Sequence, residues 1–302
     1  MIGQGATALQ DAGRCEQKAA FAKLYSKLFP VIIRLATEEE QISRQLFEPL
    51  CFQLVRWFSR YRISEHVEVE YLLDALIEGA QSRNNFTLRE MCSNAVAEFA
   101  SWSLRHSQAA VASSDSPEFE FANIRSLVRR IASNSNHPDS FKRLSSVLCF
   151  SKLFEVIQQH EHLVDEYCME IARCVLISLK MCHNSLEFCQ EVIDNCSELL
   201  SVVKAQILRS AAILTQSNAS RSVHVTLAEF LDFLFSKSTS VETVYRQECV
   251  KLWQGLVTQL PAKQSQSIKQ WILSRYVPEK KQSRANLYWS ILEITFEAGA
   301  KS

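Results

Sequence analysis

Between Arg14 and Leu50 the chain reads RCEQKAAFAKLYSKLFPVIIRLATEEEQISRQLFEPL, with apolar residues recurring at intervals of three and four. Phe21, Leu24, Tyr25, Leu28, Ile32 and Leu35 fall in one stripe on a helix, and Lys23, Lys27 and Arg34 turn away from it. Thr37 sits where a cap belongs and Glu40 follows at capping-box spacing, which predicts that a second helix starts there; Glu38 and Glu39 place negative charge at its positive end. Leu46, Leu50, Leu54, Phe58 and Tyr61 form the stripe of that second helix. Two amphipathic helices on so short a link pack antiparallel. Each pair keeps apolar surface to cover, so another pair must lie beside it.

The same spacing predicts further helices over residues 66–81, 87–106, 119–133, 138–160, 163–181, 186–214, 223–236, 241–260, 264–276 and 284–298. Two polar, low-complexity stretches, SQAAVASSDSP at 107–117 and TQSNASRS at 215–222, predict mobile loops. A register recurs in the second helices: small or apolar residues at plus three and plus six and a large one at plus ten. Arg89 leads to Cys92, Ala95 and Phe99; Arg143 to Ser146, Cys149 and Leu153; Gln190 to Ile193, Cys196 and Leu200; Arg246 to Cys249, Leu252 and Leu256. Lys18, with Phe21, Leu24 and Leu28, fits it as well. The starts lie about 50 residues apart, in the range of HEAT-type helix-pair arrays.

Composition narrows the fold class. Only Gly79 and Gly255 lie between Gly13 and Gly299, too few turn residues for a strand-rich chain, while 47% hydrophobic residues can fill a continuous core. The expectation is an all-α fold, an α-α superhelix built as a HEAT-like solenoid of antiparallel helix pairs. Residues 1–13 would be a flexible N-terminal segment and 14–302 a single solenoid. Neither end carries polar capping residues: Phe21 and Leu24 stand at one, and Tyr288, Trp289, Leu292 and Phe296 at the other, which suggests a piece of a longer stack.

Charge and cysteine usage add little that is chemical. Lys plus Arg and Asp plus Glu balance at 33 each, so no strong field draws the whole chain to nucleic acid or membrane. No apolar run reaches the ~20 residues of a membrane helix, and the first 13 residues lack a signal-peptide core. The ten cysteines sit inside apolar helical patterns without a CxxC, as small core residues of a reducing compartment. Cys182, His183, Cys189 and Cys196 are the nearest approach to a metal set, but a seven-residue spacing strings ligands along one helix, so no metal is expected. Phosphate-loop, dinucleotide, zinc-protease, nucleophile-elbow and kinase motifs are absent from the sequence, and neither catalytic residues nor a cofactor are assigned to it. The densest basic set, Arg125, Arg129, Arg130, Lys142 and Arg143, is the candidate contact for nucleic acid or a partner, against the plainer reading of a solvated face. Arg56, Arg60 and Arg62 form a second set.

RCEQKAAFAKLYSKLFPVIIRLAT and RQLFEPL, then HPDSFKRLSSVLCF at 137–150 and TFEAG at 295–299, resemble the helical scaffold of the phosphatidylinositol-3-kinase-related protein kinases. The resemblance implies a very large nuclear serine/threonine kinase acting in double-strand break repair by non-homologous end joining. Its solenoid would hold double-stranded DNA ends and the Ku heterodimer, with neighbouring repeats of the same chain as its nearest partners and no membrane. ATP and Mg would belong to a kinase domain outside this chain. The alternative is a free-standing HEAT-repeat adaptor of the transport or phosphatase-scaffold type.

Overall fold

The computed structural model describes residues 20–111, 121–182, 189–214 and 227–259. Among them stand ten helices and no strand, so the expected all-α class forms, with helix pairs as the packing unit of an α-α superhelix. The helices are α1 (residues 20–35), α2 (Gln41–Phe58), α3 (Val67–Gly79), α4 (Phe86–Val111), α5 (Ala122–Ser135), α6 (Ser140–Ile157), α7 (Glu161–Cys182), α8 (Cys189–Leu214), α9 (Leu227–Lys237) and α10 (Thr243–Gln259). They divide into two compact units, one through Val156 and one from Ile157.

In the first unit α4 packs against α2, α3 and α5. Its inward register, Cys92, Ala95, Val96 and Phe99, is wholly buried, each large side chain contributing about 1.5–3 kcal/mol by leaving water. Small residues at the plus-three and plus-six positions let these second helices approach. Cys92 feels both Cys51 of α2 and Cys149 of α6, and burial pushes its thiol well above the usual range. Gly79, the last residue of α3, serves the same closeness: a methyl there would sit 2.5 Å from Cys92 Sγ and 3.4 Å from Ile33 of α1.

The starts of the second helices share a device. Leu88 N–H donates to Asn85 Oδ1 at 2.9 Å and Phe141 N–H to Asp139 Oδ1 at 2.9 Å, so an Asn and an Asp supply the caps of α4 and α6. One turn on, an arginine reaches back across the link. Arg89 Nη1 donates to the carbonyls of Ser82 (3.0 Å) and Arg83 (3.3 Å), and Arg143 Nη1 to those of His137 and Pro138 (both 2.7 Å). Arg246 Nη1 repeats the contact in the second unit, on Ser240 O at 2.9 Å. Each guanidinium satisfies carbonyls that a turn would otherwise leave to solvent.

The second unit packs α7 on α8 and α9 on α10, with α10 also meeting α7 and α8. Cys196, Leu200, Cys249, Leu252 and Leu256 are buried at their register positions, and Cys196 Sγ–H points at Val175 O, 3.8 Å away. Gln190 departs from the arginine pattern: it is exposed and donates to Asp194 Oδ1 at 2.7 Å.

Three local expectations are corrected. α1 packs through Phe29, Ile32 and Ile33, with Ala36 buried just beyond its end, whereas Phe21 (49% exposed), Leu24 (53%), Leu28 (40%) and Val31 (52%) form a second apolar face that nothing among the described residues covers. The register read from Lys18 therefore fails at its observable positions, because Phe21, Leu24 and Leu28 belong to a first helix; Lys18 itself lies outside the described residues. Thr37 is no N-cap: its Oγ1 donates back to Arg34 O at 3.1 Å, closing α1, and α2 starts after Glu40 without a side-chain cap. The 107–117 stretch is helical as far as Val111, while 112–117 lies outside the described residues. So do 1–13, 215–222 and the helices expected at 264–276 and 284–298.

Candidate partner surface

Of the five basic residues singled out in sequence, Arg143 is removed from any outer surface: it is 1% exposed and committed to the turn before its own helix. A guanidinium so placed costs several kcal/mol of desolvation, which the two short charge-assisted hydrogen bonds offset. Arg130 is drawn onto α3, where it donates to Glu70 Oε1 at 3.0 Å and to Asp74, so its charge is neutralised between the helices. Arg125 and Arg129 point outward one turn apart on α5, and Lys142 is half-buried on α6. The set is therefore a structural clamp, a bridge, two exposed arginines and a half-buried lysine, without the continuous stripe that a nucleic-acid backbone requires.

The second basic set is better organised. Arg56 Nε donates to Glu98 Oε1 at 2.9 Å, and the same oxygen accepts from Trp102 Nε1 at 2.8 Å. The Arg56 and Arg105 guanidiniums lie 5.6 and 4.8 Å from the centre of the Trp102 ring, and that of Arg60 lies 5.1 Å from Trp57. Such stacks contribute about 0.5–1 kcal/mol each at exposed sites. His106 follows Trp102 by one turn with its ring 5.6 Å away; burial first, and Arg60 second, hold its imidazole below the ordinary 6.5. Deeper polar contacts fix the platform. Ser103 Oγ donates to Ser59 O at 3.2 Å, and Asn123 of α5 donates to Tyr61 O at 3.0 Å while accepting from Ile63 N–H at 3.0 Å. Sequence inspection missed this cluster, although Trp57–Arg60 and Trp102–Arg105 share the spacing Trp-x-x-Arg, which stacks a cation on an indole one turn earlier.

Arg62 pairs locally with Glu65 at 2.8 Å. In the second unit a cleft of about 140 Å³ lies between Ser197, Ser201 and Lys204 of α8 and Glu248, Lys251 and Leu252 of α10. It is smaller than the roughly 300 Å³ at which small-molecule sites begin. Its Glu248 and Lys251 already pair at 2.7 Å. Of the sequence-level cysteine set, Cys196 is a core residue, and Cys182, His183 and Cys189 have no described side chains. No group able to hold a metal occurs among the described residues, and no described helix is long and apolar enough to cross a membrane.

Paired helices with buried, repeating registers define this chain as part of a helical-repeat scaffold. Residues 19–283 match the family model for the DNA-dependent protein kinase catalytic subunit, CC1/2, and the chain belongs to that family. It is 28% identical over 307 residues to the DNA-dependent protein kinase catalytic subunit of Dictyostelium discoideum, a match covering 91% of this chain and 7% of that protein. The dog (Canis lupus familiaris) counterpart is 27% identical over 286 residues, covering 93% and 6%, and the chicken (Gallus gallus) one 29% over 252 residues, covering 81% and 6%. The chain thus spans 6–7% of the length of these curated relatives.

Proposed function

We propose that this chain is a scaffold segment of a nuclear DNA-dependent serine/threonine kinase of double-strand break repair by non-homologous end joining. In this role it supports DNA-end and Ku engagement and relays it to a kinase domain, which carries the ATP and Mg. The family match over residues 19–283 carries this reading and favours it over a free-standing adaptor. The arrangement of the helices supports it physically. In a stack whose contacts are nearest-neighbour, small rotations between pairs accumulate along the array. The uncovered apolar row Phe21, Leu24, Leu28 and Val31, with Ile42 and Leu46 of α2, suits a neighbouring helix pair of a longer chain. The single solenoid over 14–302 expected from sequence belongs to the same proposal.

The test is made in the full-length kinase with Leu24→Asp plus Leu28→Asp, which place charge on that row without opening the core of this segment. DNA-stimulated phosphorylation of a peptide substrate is expected to fall several-fold while DNA-independent activity persists. Unchanged stimulation in a correctly folded variant would sink the relay.

A further inference from the structure

The α2–α4 surface holds two indoles that each have at least one guanidinium over the ring. Trp57 remains 53% exposed at its periphery, with Arg60 stacked on it, and Trp102 carries Arg56 and Arg105. Arg56 is paired with Glu98, whereas Arg60 and Arg105 have no ion-pair partner among the described residues. A guanidinium held over an aromatic ring keeps its planar fork of N–H donors, which can receive a carboxylate with two parallel hydrogen bonds. Its rotamer is already restrained, so less entropy is lost when an acceptor arrives. Ser103, Ser59 and Asn123 lock the backbone beneath, so the two forks are presented from a rigid base.

We propose that the Trp57–Arg60 and Trp102–Arg105 pairs form a docking surface for a short acidic peptide segment of a partner protein. The stacked guanidiniums take its carboxylates edge-on, and an apolar side chain of the peptide covers the exposed rim of Trp57. Charge complementarity selects this occupant: with Arg56 and Glu98 neutralising each other, the charge left unpaired among the described residues comes from Arg60 and Arg105. Nucleic acid suits the surface poorly. A duplex needs a longer cationic track, and a single strand needs a run of free aromatic faces on which to stack, whereas Trp102 already carries two guanidiniums and Trp57 one.

The experiment uses the full chain and a short fluorescein-labelled peptide alternating glutamate with leucine, followed by fluorescence anisotropy, with the glutamine counterpart of the peptide as control. Wild-type protein should bind the glutamate peptide and not the glutamine one, more weakly as salt rises. Arg60→Gln with Arg105→Gln should weaken binding at least tenfold. Arg60→Lys with Arg105→Lys, which keeps the charge but loses the flat fork, should still weaken it several-fold. Arg129→Gln, an exposed arginine elsewhere, should leave binding unchanged, and thermal melts followed by circular dichroism confirm that each variant is folded. The proposal is overturned by any of four results: equal binding of the glutamine peptide, wild-type affinity in the lysine variant, equal weakening by Arg129→Gln, or tighter, Arg60- and Arg105-dependent binding of a DNA oligonucleotide.

Discussion

Replacing Gly79 by alanine should destabilise the first unit even though alanine favours helix. The reason is space. A Cβ at this position would lie 2.5 Å from Cys92 Sγ, with Ile33 Cγ2 at 3.4 Å and Cys92 Cβ at 3.7 Å. Attractive contact between such atoms begins near 3.5–4.0 Å, so the methyl overlaps the sulfur by about an ångström. Cys92 is fully buried with Cys51 and Cys149 close by, so its thiol cannot swing into solvent. Overpacking of this kind costs about 1–3 kcal/mol. The helix-propensity gain of alanine reaches about 1 kcal/mol in a helix interior and is smaller at the final residue of α3. A net loss of about 1–2 kcal/mol follows. Cys92→Ala removes the obstructing atom, and the new methyl then occupies part of the vacated volume. The double variant should therefore be more stable than the sum of the single effects by about 1 kcal/mol or more. Urea unfolding gives the global values, and native-state hydrogen exchange of α3 and α4 peptides localises the change to this unit. An alanine variant as stable as wild type, or single effects that add within about 0.5 kcal/mol, would refute the close-approach account.

Arg143→Met should cost about 2–4 kcal/mol by leaving the His137 and Pro138 carbonyls without their donor, whereas Arg129→Gln, at an exposed position, should stay within about 0.5 kcal/mol; equal urea midpoints for the two would contradict the clamp. Burial pushes the Cys149, Cys168 and Cys249 thiols up to about 12. Iodoacetamide near pH 8 should therefore spare them in the native chain and modify them after urea unfolding, as mass spectrometry of digests would report. Because His106 sits below the ordinary 6.5 when folded, the unfolded chain binds more protons between that lowered value and 6.5, and stability falls as pH drops through this window. His106→Gln should flatten that fall in urea midpoint, and Arg60→Gln should raise the imidazole titration seen by NMR. Identical acid slopes, or an unmoved titration, would count against the assignment.

Much of the helical register was readable because period alone determines which residues share a face. The plus-three, plus-six and plus-ten positions after Arg89, Arg143 and Arg246 are all buried. Period alone cannot decide between two apolar faces on one helix: it marks the Phe21–Leu24–Leu28 row, whereas the inner face is Phe29, Ile32 and Ile33, continued by Ala36 just beyond the helix. Cap chemistry misled at Thr37, where a hydroxyl can as easily close the helix behind it as open the one ahead. Charge alone does not place Arg143 at the surface; a charge recurring at a fixed register, as Arg89, Arg143 and Arg246 do, marks a structural contact. The Trp–Arg surface needed α2 and α4 brought together, and local spacing on either helix gives no sign of the other.

Through Nη1 the arginine clamps take hold of main-chain oxygen atoms. The segments they grip, Ala80 to Asn85, Asn136 to Asp139 and Ser238 to Glu242, have no common wording. A hairpin held in this way is indifferent to the identity of its turn, provided the carbonyls still face the guanidinium. Mutational drift can therefore accumulate in these corners while the angle between paired helices is inherited unchanged.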